Sequence, residues 1–178
     1  MATIVLGVTG SIAAYKACEL VRLLVKEEHE VHVIMTSCAQ KFVTPLTFQT
    51  LSRNPVPATM FDDPEEWVPG HISLAEKADL FVIAPCTANV LAKLTHGLAD
   101  DLLTATALAT KAPLLIAPAM NTGMWENPAT QQNMATLTAR GVRFVDAGTG
   151  DLACGITGKG RMAEPQQIKE VIVKLLNK

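Results

Sequence analysis

The sequence predicts an α/β protein with a parallel, doubly wound sheet and helices on both of its faces. Short apolar runs alternate with segments of helical periodicity along all 178 residues, an order typical of strands that are joined by helices. Polar or glycine-rich segments follow four of these runs, as expected where parallel strands end at a ligand-binding edge. The length suits one domain over residues 1–178.

The composition argues against several classes of protein. A hydrophobic content of 49% with 18% charged residues predicts a folded chain. A net charge of −2 and 4% aromatic residues give no basis for nucleic-acid binding. No apolar run is long enough to span a membrane, and the N-terminus has no signal-peptide pattern. The four cysteines lack metal-binding spacing, so we expect reduced thiols, no metal site and a cytoplasmic location.

The first strand and the turn after it organise the chain. An apolar run over residues 3–8 meets Gly10 and Ser11 and then small helix-forming residues. Free amides at such a helix N-terminus favour an anion, although an ordinary turn capped by Ser11 explains the pattern equally well. The motifs GxxxxGK[ST] and GxGxxG are both absent, and the second strand ends without an acidic residue to bind a dinucleotide ribose. The turn therefore suits a mononucleotide phosphate.

The first half of the chain continues with a helix, a second strand and a polar strand end. An irregular stretch over residues 54–70 follows, and loops of this length in compact domains are often functional. We expect these elements at residues 12–27 (helix), 31–35 (strand), 36–42 (polar end), 43–51 (helix), 75–78 (short helical turn) and 79–84 (third strand).

The second half repeats the alternation and predicts a ligand crevice. Gly141 should end the helix at 128–139, and residues 148–160, with five glycines, show neither a strand nor a helix pattern. Four polar strand ends should converge on one sheet edge, in the Rossmann-like, flavodoxin-like arrangement. The remaining elements are expected at 85–89 (polar end), 90–94 and 102–110 (helices), 113–117 (strand), 118–125 (polar end), 142–145 (strand) and 164–176 (helix).

Five segments resemble motifs of the homo-oligomeric flavin-containing cysteine decarboxylases. Residues 118–125 resemble the family's PxMNxxMW motif, and residues 85–89 resemble its PASANT motif, from which Cys86 and Thr87 depart. Residues 7–16 are similar to the GxTGSIAAYK opening, and residues 70–74 to the stretch that holds the catalytic histidine. Residues 153–162 resemble the substrate clamp of the members that act on 4′-phosphopantothenoylcysteine.

This resemblance implies FMN-dependent decarboxylation of 4′-phosphopantothenoylcysteine to 4′-phosphopantetheine, a step of coenzyme A biosynthesis. A peptidyl-cysteine decarboxylase of the lantibiotic type and a non-enzymatic, flavin-binding regulatory subunit remain as alternatives. The clamp segment favours the small-molecule substrate, and the complete His71, Asn121 and Cys154 set argues against a regulatory role. Family membership also implies self-association, as a trimer or a dodecamer of trimers, and many bacterial members carry a second, ligase domain.

The chemistry supports a bound redox cofactor. Direct loss of CO2 from a cysteine carboxylate would leave a carbanion with no electron sink. Oxidation of the thiol to a thioaldehyde creates such a sink, but this step needs a hydride acceptor that no side chain provides. The resemblance implies that FMN is the acceptor.

The resemblance also implies cofactor-binding residues. Gly10 and Ser11 would hold the FMN phosphate, and Ser37 and Phe42 would line the flavin. Phe42 could instead belong to the core. The hydrogen bonds to the ring or ribityl chain would come from Thr87 and Asn89, although Asn89 could also be a helix cap.

Further roles concern the substrate. His71 would carry a proton, since its ordinary pKa near 6.5 suits transfer at neutral pH. Asn121 would bind the substrate carboxylate, or else form only an Asx turn, and Cys154 would protonate the enethiol unless it is a chance exposed thiol. The remaining candidates for substrate contact are Met120, Met124, Ala153 and Gly155.

Overall fold

A computed structural model describes residues 1–57, 59–60, 70–151, 155 and 157–177 of the chain. Strands and helices alternate through most of this length. The strands are β1 (Thr3–Val8), β2 (Glu30–Met35), β3 (Leu80–Cys86), β4 (Leu114–Pro118), β5 (Arg143–Phe144), β6 (Gly148–Asp151) and β7 (Thr157–Arg161). The α-helices are α1 (Ala14–Lys26), α2 (Pro45–Ser52), α3 (Gly70–Lys77), α4 (Ala88–His96), α5 (Leu102–Ala109), α6 (Thr122–Glu126), α7 (Pro128–Ala139) and α8 (Pro165–Leu176).

Five strands form one parallel sheet in the order β2-β1-β3-β4-β5. The carboxyl ends of β2, β1, β3 and β4 are therefore neighbours on one edge, where the four polar strand ends begin. This arrangement confirms the predicted doubly wound, flavodoxin-like α/β fold and brings the four polar strand ends to one edge of the sheet.

Helices cover both faces of the sheet because successive strand residues point to opposite sides. In β1, Ile4 and Leu6 belong to a core beneath α1, α2 and α8, whereas Val5 belongs to a second core beneath α3, α4, α5 and α7. Burial on both faces explains why the strands are almost continuously apolar.

Residues 148–151 and 157–161 form the two strands of a β-hairpin, so the prediction that this stretch has no strand is wrong. Strands β6 and β7 pair in the antiparallel sense. Glycine is unfavourable in strands, and the hairpin lacks the β-branched alternation by which strands are recognised. Two of its glycines, Gly158 and Gly160, are instead required by close packing, which is described with the site below.

Helix α3 begins at Gly70, five residues before the predicted turn, so His71 lies in its first turn. Leu74 within the helix, and Ala78 just after its last residue, pack against the second core. None of the helices in the described residues has the length and apolarity needed to cross a bilayer.

Candidate functional site

Thr9 connects the ends of β1 and β3. Its buried hydroxyl donates to the Pro85 carbonyl over 2.7 Å and accepts the N–H of Thr87 over 3.0 Å. Two backbone hydrogen bonds extend this connection to the ends of β2 and β4. The N–H of Thr36 donates to the Val8 carbonyl (3.1 Å), and the N–H of Ala119 donates to the Cys86 carbonyl (2.9 Å). The four polar strand ends are therefore one contiguous surface.

The turn after β1 presents free amides to this surface. The N–H groups of Gly10 and Ile12 donate to no acceptor within the described residues. The Ser11 hydroxyl accepts the N–H of Ala13 at 3.3 Å, and Ala13, not Ser11, is the N-cap residue of α1. Two unpaired donors in a turn that leads into a helix are suited to an anion.

Gly10 is needed because the segment after β2 packs directly on the turn. A Cβ built at Gly10 would lie 2.4 Å from the Cβ of Cys38, closer than two such atoms can approach. The close contact holds the turn against residues 36–42. Ser37 and Phe42 are both exposed, and Phe42 retains 49% of its accessible surface. The alternative in which Phe42 is a core residue is therefore wrong.

At the end of β3, Thr87 caps α4. Its hydroxyl accepts the N–H of Val90 at 3.4 Å. Asn89 lies in the first turn of α4 with an exposed side chain, so the interpretation of Asn89 as the helix cap is wrong. Cys86, which departs from the family motif, points into the second core, and its complete burial raises the pKa of its thiol.

Asn121 is the N-cap of the short helix α6, which follows β4. Its Oδ1 accepts the N–H of Gly123 at 2.8 Å, and its carbonyl accepts the N–H of Trp125 at 2.9 Å. The expected Asx turn is therefore present, and it fixes the orientation of the carboxamide. Met120 is half-buried beside it, and Met124 is 49% exposed.

The β6–β7 hairpin packs against α6 through glycines. A Cβ at Gly160 would lie 2.3 Å from the Met120 carbonyl oxygen, and a Cβ at Gly158 would lie 2.3 Å from Oγ1 of Thr122. Gly160 also has a φ of +129°, which other residues rarely adopt. The Gly160 carbonyl accepts the N–H of Met120 at 2.9 Å, so the hairpin is held against the Asn121 segment.

His71 has a buried Nδ1 for which the described residues supply no hydrogen-bond partner. Helix α3, which carries it, packs against α5 and lies near β1. An unpaired ring nitrogen leaves His71 available to a proton donor or acceptor that is not part of the described protein.

Ala153 and Cys154 lie outside the described residues. Gly155 is described: it is exposed, has a φ of +79°, and a Cβ at this position would meet no atom within 4 Å. Gly155 lies in the connection between β6, which ends at Asp151, and β7, which begins at Thr157.

The importance of Thr9 and Thr122 was not evident from the sequence alone. The only signal for Thr9 is its position between two glycines after a strand, and Thr122 follows Asn121 in a stretch already singled out. In the described part of the chain, no cluster of three or more His, Cys, Asp or Glu residues is arranged to hold a metal ion.

Curated relatives match the chain closely. The probable phosphopantothenoylcysteine decarboxylase of Streptococcus mutans is 46% identical over 175 residues, which are 97% of this chain and 98% of that protein. The coenzyme A biosynthesis bifunctional protein CoaBC of Haemophilus influenzae is 51% identical over 165 residues. That match covers 93% of this chain but 41% of the relative, so the chain spans less than half the length of its bifunctional relatives.

Solved structures share the fold over nearly the whole chain. A PPC decarboxylase mutant complexed with pantothenoylaminoethenethiol superposes with a TM-score of 0.89 at 33% identity, covering 99% of both chains. The FMN-dependent cysteine decarboxylase SpaF superposes with a TM-score of 0.85 at 31% identity, covering 100% of this chain and 98% of that one. The family model described as Flavoprotein matches residues 1–177. The chain therefore belongs to the Flavoprotein family.

Proposed function

We propose that this protein is an FMN-dependent phosphopantothenoylcysteine decarboxylase, which converts 4′-phosphopantothenoylcysteine to 4′-phosphopantetheine in the cytoplasm. The observation that carries the proposal is the contiguous strand-end surface, on which a turn with free amides and an oriented Asn121 lie at the same edge of the sheet. The names of the relatives and of the solved structures support the same activity.

The residues of the crevice fit FMN. The free amides of Gly10 and Ile12 suit its phosphate, together with the hydroxyl of Ser11. Exposed Ser37 and Asn89 offer hydrogen-bonding groups to the ring or the ribityl chain, and Phe42 offers an aromatic face. When bound, FMN would accept and return the hydride that makes the decarboxylation possible.

The carboxamide of Asn121 suits a carboxylate that has to leave as CO2. Its Oδ1 is held by Gly123 N–H, an arrangement that fixes where the amide NH2 group can point. A neutral donor orients the carboxylate without the strong stabilisation of its charge that a lysine or arginine would give, so the charge can disappear in the transition state. Met120 and Met124 would form apolar walls for the substrate.

Two groups are proposed to move protons. His71, whose Nδ1 is buried without a partner in the described chain, would take a proton from the substrate and return it. Cys154 would protonate the enethiol from the connection of the hairpin, next to Ala153 and Gly155, which would contact the substrate.

We further propose that the protein self-associates through an apolar surface beside the crevice. Ile12, Tyr15, Phe42 and Leu46 retain between 49% and 69% of their accessible surface. They lie at the start of α1 and around the start of α2, and these two helices pack against each other. Large side chains grouped in this way are typical of a subunit contact, which would place a second copy next to the flavin.

Removal and restoration of the flavin tests the proposed function. Protein stripped of flavin should leave 4′-phosphopantothenoylcysteine unchanged, and activity should return in proportion to the FMN that rebinds. Turnover that does not depend on bound FMN would contradict the proposal. Preference for a peptide with a C-terminal cysteine would instead indicate the peptidyl-cysteine alternative.

A further inference from the structure

The carboxylate of Glu164 links the hairpin to the helix that follows the phosphate turn. Its Oε1 accepts one hydrogen bond from the ammonium group of Lys16 (2.8 Å) and another from Nη2 of Arg161 (3.1 Å). Glu164 is the N-cap of α8, whereas Lys16 lies in α1 and Arg161 ends β7. One carboxylate group therefore joins three elements.

The Lys16 side of this link is buried. The side chain of Lys16 is 8% exposed, whereas that of Glu164 is 51% exposed. Among the described residues, Glu164 is the one carboxylate within ion-pair distance of Lys16. Because a buried ammonium needs a partner, the position of Glu164 is set by α1, which begins directly after the free amides of the turn. The hydrogen bond from Lys16 also lowers the pKa of the Glu164 carboxyl.

The Arg161 side of the link extends across the hairpin. A Cβ built at Gly150 in β6 would lie 3.3 Å from Nη1 of Arg161 and 3.6 Å from its Cδ. The arginine side chain therefore passes over β6 before it reaches Glu164. Its neighbour in the chain, Gly160, packs against the Met120 carbonyl, so the same strand contacts both the substrate segment and this ion pair.

We propose that Glu164 is a positioning residue, which fixes the hairpin relative to the phosphate turn through Arg161 and Lys16. The inference rests on the proposed function for its kinetic consequence. The hairpin contains the substrate candidate Gly155 and packs on Met120, while the turn carries the cofactor candidates. Loss of the link should therefore impair the reaction of bound substrate and leave FMN bound.

A second ion pair supplies a matched control. Lys169 of α8 binds Glu27, at the end of α1, over 3.0 Å. This pair joins the same two helices as Lys16 and Glu164, and no ion pair or hydrogen bond among the described residues connects it to the hairpin. Replacement of Lys169 by methionine removes one link between α1 and α8 and leaves the Arg161 link intact.

The kinetic experiment compares FMN-loaded variants at equal flavin content. Glu164→Gln and Arg161→Met should each lower kcat/KM for 4′-phosphopantothenoylcysteine by about tenfold with unchanged FMN affinity, because each uncouples the hairpin. Arg161→Lys keeps a positive charge next to Glu164 and should therefore retain a kcat/KM between those of Arg161→Met and the wild type. Lys169→Met should retain wild-type kcat/KM. Equal kcat/KM in Glu164→Gln and Lys169→Met would overturn the proposal, as would loss of FMN from Glu164→Gln.

A second measurement does not depend on activity. Lys159 of β7 lies over the ring of Trp125, 5.3 Å from its centroid, so displacement of the hairpin exposes the indole. With Trp67→Phe in the background, Trp125 is the one tryptophan of the chain, and its acrylamide quenching reports on the hairpin. The quenching constant should rise about twofold in Glu164→Gln and Arg161→Met but not in Lys169→Met. Identical quenching constants in all variants would overturn the positioning role. If the quenching constants rise as expected but the protein has no decarboxylase activity, only the proposed function is rejected.

Discussion

The two ends of the Asn121 carboxamide have different functions, one structural and one, as proposed, chemical. Its Oδ1 caps α6 by accepting Gly123 N–H, and its NH2 group is the proposed ligand of the substrate carboxylate. Aspartate can perform the first task but not the second, because it accepts hydrogen bonds equally well and cannot donate when ionised. The residue therefore allows the structural and the chemical function to be separated.

Asn121→Asp should keep the yellow FMN and the fold but lower CO2 release by about 100-fold or more, the loss typical of a deleted donor at a reacting group. The measurement is product formation per bound flavin. Asn127→Asp is the matched control, since Asn127 caps α7 in the same way through Ala129 N–H at 2.9 Å. Unchanged turnover in Asn121→Asp would remove Asn121 from the mechanism.

Gly10→Ala should weaken FMN binding by tenfold to about 100-fold, the equivalent of about 1–3 kcal/mol for an overpacked contact. The new Cβ would meet the Cβ of Cys38 and push the turn away from residues 36–42. Flavin titration measures the effect. Cys38→Gly in the same chain should restore part of the affinity, and an equal affinity in Gly10→Ala alone would contradict the role of the turn.

At this scale the sequence is informative about Asn121. This residue was predicted as a ligand of the substrate carboxylate, with an Asx turn as the alternative, and the turn is present. Thr87 and Asn89 show what the sequence alone does not decide. Threonine and asparagine are both frequent near helix starts, and only the backbone geometry shows that Thr87 is the cap. Nothing in the sequence indicates that His71 lies in the first turn of a helix or that its Nδ1 lacks a partner in the described chain.

At the scale of elements, the β6–β7 hairpin is the feature that the sequence failed to predict. Local propensity argues against strands with so many glycines. The hairpin forms because Gly158 and Gly160 allow it to pack directly on Thr122 and Met120, a contact between distant parts of the chain. By contrast, α7 has the predicted bounds, since a proline start and a glycine after its end are local signals.

Gly160→Ala should displace the hairpin, because its Cβ would overlap the Met120 carbonyl and its φ of +129° is unfavourable for alanine. We expect kcat/KM to fall by about tenfold or more while bound FMN is retained. Gly148→Ala, in the same hairpin, brings its Cβ no closer than 3.7 Å to a neighbouring atom and should have near wild-type kinetics. Loss of flavin from Gly160→Ala would show that the hairpin also supports the cofactor site.

At the scale of the whole molecule, the parallel, doubly wound sheet was predictable because each buried strand leads to a helix. Parallel strands alone bring their polar carboxyl ends to one edge. The surfaces that face other molecules were not predictable, since Phe42 and Leu46 have the same apolar character as core residues. Their exposure depends on how α1 and α2 pack.

Leu46→Glu should shift the protein toward monomers, since Leu46 is 69% exposed on the proposed contact surface and a buried carboxylate there would be unfavourable. Light scattering coupled to size-exclusion chromatography measures the mass. Leu108→Glu is the control, because Leu108 is 63% exposed on α5, against the other face of the sheet. If both variants keep the wild-type mass, this surface is not the subunit contact.

The activity itself is tested most directly by a competition reaction. FMN-loaded protein is incubated with equal amounts of 4′-phosphopantothenoylcysteine and a peptide that ends in cysteine, and loss of CO2 from each is followed by mass spectrometry. We predict conversion of 4′-phosphopantothenoylcysteine to 4′-phosphopantetheine while the peptide is unchanged. A flavin-loaded protein that leaves this compound intact, or decarboxylates the peptide instead, would contradict the proposed function.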